Sequence, residues 1–150
     1  MNKLLFAILL SVLPVSEVRG AIPFALKSGF DPITVFLVMS FFNILVVPFV
    51  FFFLDNIHHH FMKISHYEKY FNFYLERTRK KIEHKIGKGT YFALLAFVAI
   101  PLPATGAYTG TLIAWFFNLN RKYSYIAISL GVLGSALIVT LVSLVILKLF

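Results

Sequence analysis

Two long stretches, 33–54 and 125–147, that are apolar almost throughout and carry no charged residue leave this chain few ways to fold. At 1.5 Å per residue each makes a helix of roughly 33 Å or a little more, enough to cross about 30 Å of hydrocarbon. The 150 residues are 59% hydrophobic and 13% charged, with 18 Phe, which is more apolar side chain than a soluble domain of this length can hide. The expected class is an all-α integral membrane protein built as one membrane domain. Any chemistry must then use residues that also belong to the embedded part.

Two further apolar runs are too short to cross. Residues 4–15 reach roughly 18 Å as a helix. They are followed by Ser16-Glu17-Val18-Arg19-Gly20, a second apolar piece at 21–26, and a return to polar sequence at Lys27. In the second half, residues 91–100 lead into Pro101-Leu102-Pro103-Ala104-Thr105-Gly106-Ala107-Tyr108-Thr109-Gly110. Residues 111–117 then lead out to Asn118-Leu119-Asn120-Arg121-Lys122. Each pair of arms reads as a re-entrant hairpin that dips to mid-depth. Pro14, Gly20 and Pro23 form the first break, and the Pro101 to Gly110 stretch forms the second. Non-helical backbone at that depth is tolerated only where it faces protein or water, so both breaks are expected to line something wet.

Asp31-Pro32 is a helix start, with Asp as cap and Pro at the first helical position. Pro48 is expected to kink the helix that follows, and Asn43 to bond a neighbouring helix. Ala127, Gly131 and Ser135 recur every fourth residue for close helix contact, and Gly106 and Gly110 have the spacing of a packing motif. The predicted organisation is hairpin 1 (1–30), transmembrane helix 1 (31–55), a basic linker (56–89), hairpin 2 (90–120) and transmembrane helix 2 (121–150). If the linker stays on one side, the halves enter the bilayer in opposite directions, an inverted repeat.

The linker holds all five His and eight of the Lys and Arg residues. Tyr67, Tyr70, Phe71, Tyr74, Leu75, Ile82 and Ile86 follow helical spacing there, predicting an amphipathic helix on lipid headgroups that Gly87 and Gly89 end. His58-His59-His60 reads as a solvated turn, because consecutive helical His residues diverge and no acidic partner has ligand spacing. The net charge of +8 points to anionic lipid as partner rather than nucleic acid. With the second hairpin re-entrant, Arg121 and Lys122 join the linker, giving ten basic residues on that face against Lys3, Lys27 and Lys148 opposite. Positive-inside bias then puts the linker in the cytoplasm and both termini outside. Lys3, the first apolar run and Val18-Arg19-Gly20 before Ala21 also fit a loose signal-peptide pattern, with retention of residues 1–20 the favoured expectation.

Glu17 and Arg19 are the only charges inside an otherwise apolar stretch, at a cost of about 2.5–3.5 kcal/mol each at mid-bilayer. Arg19 can attract an anionic group such as phosphate, and Glu17 can exchange a proton or balance the guanidinium. A structural ion pair locking the hairpin is the alternative. A helix starting after the second break would aim its N–H groups at the same depth, with Thr105, Tyr108 and Thr109 adding hydroxyls. The candidate substrate and proton pathway is therefore Glu17, Arg19, Gly20, Pro23, Pro101, Pro103, Thr105, Gly106, Tyr108 and Thr109. No metal site or cofactor is expected; Cys is absent. Without a metalloprotease, hydrolase or acidic metal motif, an enzyme is the least favoured class.

At Pro14-x-x-Glu17-x-Arg19-Gly20-Ala21-Ile22-Pro23, and again between Pro101 and Gly110, the chain resembles the small multidrug export protein family. That family is itself similar to the DedA/VTT membrane proteins. Ala104 and Tyr108 stand where that pattern has Gly and Trp. The resemblance implies opposed re-entrant hairpins and movement of lipids or other substrates across the bilayer. Of the acidic and arginine residues the DedA relatives depend on, Glu17 carries over, with Arg121 a loose match for an arginine near the second hairpin.

The leading expectation is a transporter or scramblase for an anionic lipid, such as a lipid-linked phosphate, with proton coupling through Glu17. The alternatives are a proton-coupled exporter of cationic drugs, which Arg19 would oppose by repulsion, and a non-transporting scaffold acting through its linker. Two spans make a thin bundle, so a homodimer is expected.

Overall fold

The computed structural model describes residues 2–61, 87–102 and 105–149, and every regular element among them is a helix. In chain order these are α1 (Lys3–Val12), α2 (Glu17–Lys27), α3 (Pro32–Phe61), α4 (Lys88–Ala99), α5 (Ala107–Phe116) and α6 (Arg121–Leu149). Short, short, long is thus written twice. Among the described residues only α3 (as Pro32–Ile57) and α6 are long and apolar enough to cross a membrane. Each buries one face, Val35, Met39 and Val47 on α3 and Ala127, Ile128, Val132 and Ala136 on α6. The other faces, with Ile33, Leu37, Phe41 and Phe49 or Leu130, Leu137, Leu141 and Val145, are exposed and apolar, as on helices that meet lipid.

The short helices double back. Phe6 on α1 and Phe24 on α2 meet edge to face with ring centroids 5.0 Å apart, although eighteen residues of straight helix would separate them by about 27 Å. In the second half the Tyr91 hydroxyl, near the start of α4, accepts the Asn120 N–H beyond the end of α5 at 3.1 Å. Each hairpin packs on the long helix that follows it. The returning arms also reach across, α2 onto α6 and α5 onto α3, and α3 packs on α6. Asp55 near the end of α3 meets Trp115 and Arg121 at the base of the second hairpin, whereas Lys27 at the base of the first shares a groove with Ile146 and Leu147 of α6. The two long helices therefore run oppositely, and the hairpins approach each other from opposite ends.

Local chemistry explains the breaks. Pro14 keeps Leu13 extended (φ −72°, ψ 136°), and the Ser16 and Glu17 N–H groups close onto the Leu13 carbonyl at 3.2 and 3.0 Å. Pro101 does the same to Ile100 (φ −75°, ψ 117°). Asp31 caps α3, accepting the Thr34 N–H at 2.9 Å and its hydroxyl at 3.1 Å. These bonds hold its carboxyl below the usual carboxylate range. Asn120 caps α6 through Lys122 N–H at 3.0 Å.

Several sequence boundaries need correction. Gly20 and Pro23 lie inside α2, so the first break is only residues 13–16; Pro14 suffices to stop α1, and Pro23 costs α2 one bond without ending it. Likewise Tyr108, Thr109 and Gly110 belong to α5, because backbone bonding resumes with Gly110 N–H to Gly106 O at 2.8 Å. Helix α3 extends past residue 55 to Phe61, since nothing between interrupts its hydrogen bonds. Gly87 and Gly89 open α4, as its N-cap and an early residue. The amphipathic helix predicted for the linker, and Pro103, lie outside the described residues.

Asn43 does bond a neighbouring helix, donating Nδ2 to the Ser11 carbonyl of α1 at 2.7 Å. The small stripe on α6 also packs as expected: a Cβ at Gly131 would lie 2.7 Å from Val98 Cβ and 2.8 Å from the Leu95 carbonyl oxygen of α4. Gly131→Ala is expected to push α4 from α6 and cost about 1–3 kcal/mol. Gly89→Ala, at a position open to space, is expected to be neutral or to stabilise by up to about 1 kcal/mol. Unfolding of both variants in mixed detergent micelles measures the contrast.

Candidate functional site

The turns of the two hairpins meet, and the groups that meet are those the backbone breaks expose. Where α1 ends, the Val12 carbonyl receives the Tyr108 hydroxyl of α5. Where α4 ends, the Leu102 carbonyl receives Arg19 Nη1, while Nη2 donates to Thr105 Oγ1 at 2.8 Å. Thr105 ties its own turn together, with Oγ1 at 2.7 Å from the Ile100 carbonyl and accepting the Leu102 N–H at 3.2 Å. Where α5 begins, the Tyr108 N–H points at Glu17 Oε1 at 3.4 Å and the Ala107 N–H also faces that carboxylate.

Glu17 is held there by unusual backbone on both sides. It is only 6% exposed and itself left-handed (φ 47°), a conformation that costs a residue with a side chain about 1–3 kcal/mol. Facing it is Gly106 (φ 153°), where any Cβ would overlap the Glu17 carboxylate. A glycine is therefore required twice over, by dihedral and by space. Gly20 plays a lesser part of the same kind, leaving room for the Ser16 side chain one turn earlier.

Arg19 and Glu17 share a cavity but do not form an ion pair. Among the described residues the one carboxylate–cation contact within 4 Å is Asp55–Arg121, at 2.7 Å. Arg19 spends its terminal nitrogens on neutral oxygens, and its buried Nε has no hydrogen-bond acceptor among the described residues. The cavity, about 510 Å³, is lined by Pro14, Val15, Ser16, Glu17, Arg19, Pro101, Thr105 and Thr109, with the exposed Val15 at its mouth. Two apolar grooves adjoin it. One, about 690 Å³, runs between α2 and the last third of α6, from Lys27 inward to Arg19 and Pro101. The other, about 380 Å³, lies between α5 and α3, where Tyr108 and Thr109 face Phe49, Val50, Phe53 and Leu54. Arg19 and Pro101 belong to the cavity and the first groove; Thr109 belongs to the cavity and the second.

Nine of the ten residues singled out from sequence are described, and they gather at this junction or the groove leaving it: Glu17, Arg19, Gly20, Pro23, Pro101, Thr105, Gly106, Tyr108 and Thr109. Arg121 does not join them. It sits at the base of the second hairpin, bonded to Asp55, with its guanidinium 5.2 Å from the centre of the Phe51 ring. Three participants were missed. The Val12 and Leu102 carbonyls have no sequence signature beyond preceding or following a proline break. Lys27 had one: Arg19, Pro23 and Lys27 recur every fourth residue and so line one face of α2, the face that forms the groove.

The contact between Arg19 and Thr105 is expected to couple the halves energetically. In a double-mutant cycle with Arg19→Ala and Thr105→Val, unfolding in mixed micelles should report a coupling of about 1–3 kcal/mol. A value near zero would mean that the hydroxyl merely lies beside the guanidinium.

Comparison with known proteins places this geometry in a family. The model of the family described as "Putative small multi-drug export protein" matches residues 17–138, a span that begins at Glu17, just after the first hairpin turn, and takes in the second turn. No curated protein and no solved structure matches the chain significantly. The matched span covers most of the chain and every residue of the α2–α5 contact, and the chain belongs to the small multi-drug export protein family.

Proposed function

We propose that this protein is a membrane transporter that carries an anionic amphiphile, a lipid or lipid-linked phosphate, between leaflets. The observation that carries the reading is Arg19: a cation at the meeting point of the hairpins, with no carboxylate within 4 Å among the described residues, opening on a polar cavity on one side and an apolar groove on the other. An anionic headgroup satisfies the guanidinium, which binds phosphate through two parallel N–H donors, and the hydrocarbon tail lies in the groove. Lys27 at the groove's far end provides a cation where such a headgroup would enter.

On this reading the hairpins are re-entrant and the halves form an inverted repeat. What supports it is the repeated order of elements and the exchange of arms, α2 on α6 and α5 on α3, that a two-fold axis in the membrane plane would generate. The second groove is then the counterpart of the first, opening to the opposite face. The basic residues put the linker end in the cytoplasm and both termini outside, and the thin bundle works as a homodimer in the cell membrane. The resemblance to DedA proteins fits the same scheme. No catalytic step is part of it.

The family's name offers a second reading, export of drugs, and the Glu17 carboxylate in the polar cavity favours it for cationic compounds. Arg19 in the same cavity would repel them, which is why the anionic substrate is preferred. A scaffold acting through the linker alone would leave both residues free to change.

Vesicles containing fluorescent phosphatidylglycerol and the purified protein distinguish these. The wild type should let a membrane-impermeant quencher bleach label from both leaflets. Arg19→Ala should slow that exchange about 10-fold to 100-fold, the rate equivalent of ~1.5–3 kcal/mol for a hydrogen bond to a charged group. Arg19→Lys should be intermediate. Exchange indifferent to Arg19, or drug-driven proton flux without lipid exchange, would favour the other readings.

A further inference from the structure

We infer that Glu17 is a proton-released latch: as a carboxylate it occupies the N-terminus of α5 and holds the hairpin turns together, and it leaves, protonated, when the substrate anion binds. This rests on the anionic-substrate reading and adds its coupling.

The first N–H groups of a helix have no intrahelical partner and attract anions. Here the groups at the start of α5 face a side chain of this chain's own first hairpin, with Ala107 and Tyr108 N–H directed at Glu17. The arrangement is costly to build, needing left-handed backbone at Glu17 and a bare α-carbon at Gly106. A second observation points to a ligand. Arg19, a partly buried cation, lines the same cavity of about 510 Å³; it feels the Glu17 charge but makes no ion pair with it within 4 Å, and its Nε has no acceptor among the described residues. The cavity thus offers positive potential at two places, and Glu17 fills one of them.

An anion arriving at Arg19 puts a second negative charge in the cavity that the largely buried Glu17 carboxylate already lines. Like charges there disfavour each other, and the cheapest relief is uptake of a proton by Glu17. Other groups do not compete for that role. The ionisable residues around Glu17 are Arg19 on its own helix and Tyr108 on α5. The turn 100–106 is without ionisable side chains, α1 carries only Lys3 at its far end, α4 carries Lys88 and Tyr91 at its start, and α3 and α6 carry their titratable residues near their ends, at Asp55 and His58 to His60 and at Arg121, Lys122, Tyr123, Tyr125 and Lys148. Once neutral, the carboxyl is a weaker acceptor for N–H groups and loses its attraction to the helix end. The contact that spans the two turns then loosens, and the polar cavity can open toward the groove on α3. A proton from water is bound as the anion is bound, so a monoanionic substrate would cross without net charge.

The latch can be read without any substrate. Ala107 and Tyr108 N–H groups have no helical acceptor, so their protection from hydrogen exchange in micelles reports on Glu17 itself. After correction for intrinsic rates, protection should be high at alkaline pH and vanish as pH falls, and Glu17→Gln should show neither the protection nor the pH dependence. Equal protection in the two proteins, or protection independent of pH in the wild type, overturns the latch.

Coupling is read by calorimetry with dioctanoyl phosphatidylglycerol, whose phosphodiester charge is fixed, in two buffers of different ionisation heat. The wild type should take up about one proton per bound lipid, with affinity falling roughly tenfold per pH unit above the titration of Glu17. Glu17→Gln should bind the lipid without proton uptake. Binding by the wild type with no uptake overturns the coupling and leaves the anionic-lipid reading standing. A working latch with no binding of this lipid overturns that reading and the coupling with it. Dimethyl phosphate in place of the lipid separates sources: proton-linked binding assigns the site to free phosphodiesters, whereas its absence assigns it to the tailed molecule.

Discussion

Backbone bonding at the two breaks is the constraint on which the rest depends. A helix that ends within an apolar layer leaves carbonyls and N–H groups that neither lipid nor its own chain can satisfy. Here each break is completed by the other half: Tyr108 of α5 donates to Val12, and Arg19 and Glu17 of α2 serve Leu102 and the start of α5. Neither hairpin is complete alone. The exchange of α2 onto α6 and α5 onto α3 follows, because arms whose tips must touch are carried past their own long helices onto the partner's.

The same necessity accounts for charged residues at the hairpin tips. A neutral donor could have served the Leu102 carbonyl, and a neutral acceptor could have capped α5, each without several kcal/mol of desolvation. Closing a turn explains that these positions are polar but not that they are ionised. Nor do Glu17 and Arg19 meet as an ion pair, since the one carboxylate–cation contact within 4 Å among the described residues lies at the base of the second hairpin, between Asp55 and Arg121. Charge kept apart in a small cavity is poorly explained by stability and well explained by a ligand that is itself charged.

Much of this was legible in the sequence, for identifiable reasons. The long helices announce themselves by length, the short arms by being too short, and the breaks by Pro14 and Pro101, which act on their own neighbours. The reading failed where local signals were over-counted. Gly20, Pro23 and Gly110 were grouped with the prolines as breakers, but a residue that weakens a helix need not end it when tertiary packing supplies the difference. Thus Gly20 makes room for Ser16, and Gly110 for Val98 and Ile128. The site was found through its cost, because Glu17 and Arg19 stand out in apolar surroundings. Lys27 was missed because a cation at a helix end is unremarked until the face it shares with Arg19 and Pro23 becomes a wall. Which carbonyls would be orphaned, and which distant side chain would reach them, is a long-range matter that no local pattern encodes.

The arrangement also limits how the molecule can move. Helix α2 carries both Glu17 and Arg19 at its first turn and the groove-lining Pro23 and Lys27 further along, so any shift of the tip displaces the groove wall with it. Pro23 leaves the Arg19 carbonyl without its helical donor, removing one of the bonds that would stiffen α2 between the two. On the far side α5 has Tyr108 at the tip and Leu112 in its own groove, again one turn apart on one helix. Each hairpin therefore links a polar contact at its tip to an apolar groove along its returning arm. Since the central contacts are shared, loosening them frees both walls at once; on the transport reading proposed above, the side from which the substrate's hydrocarbon chain presses decides which groove opens.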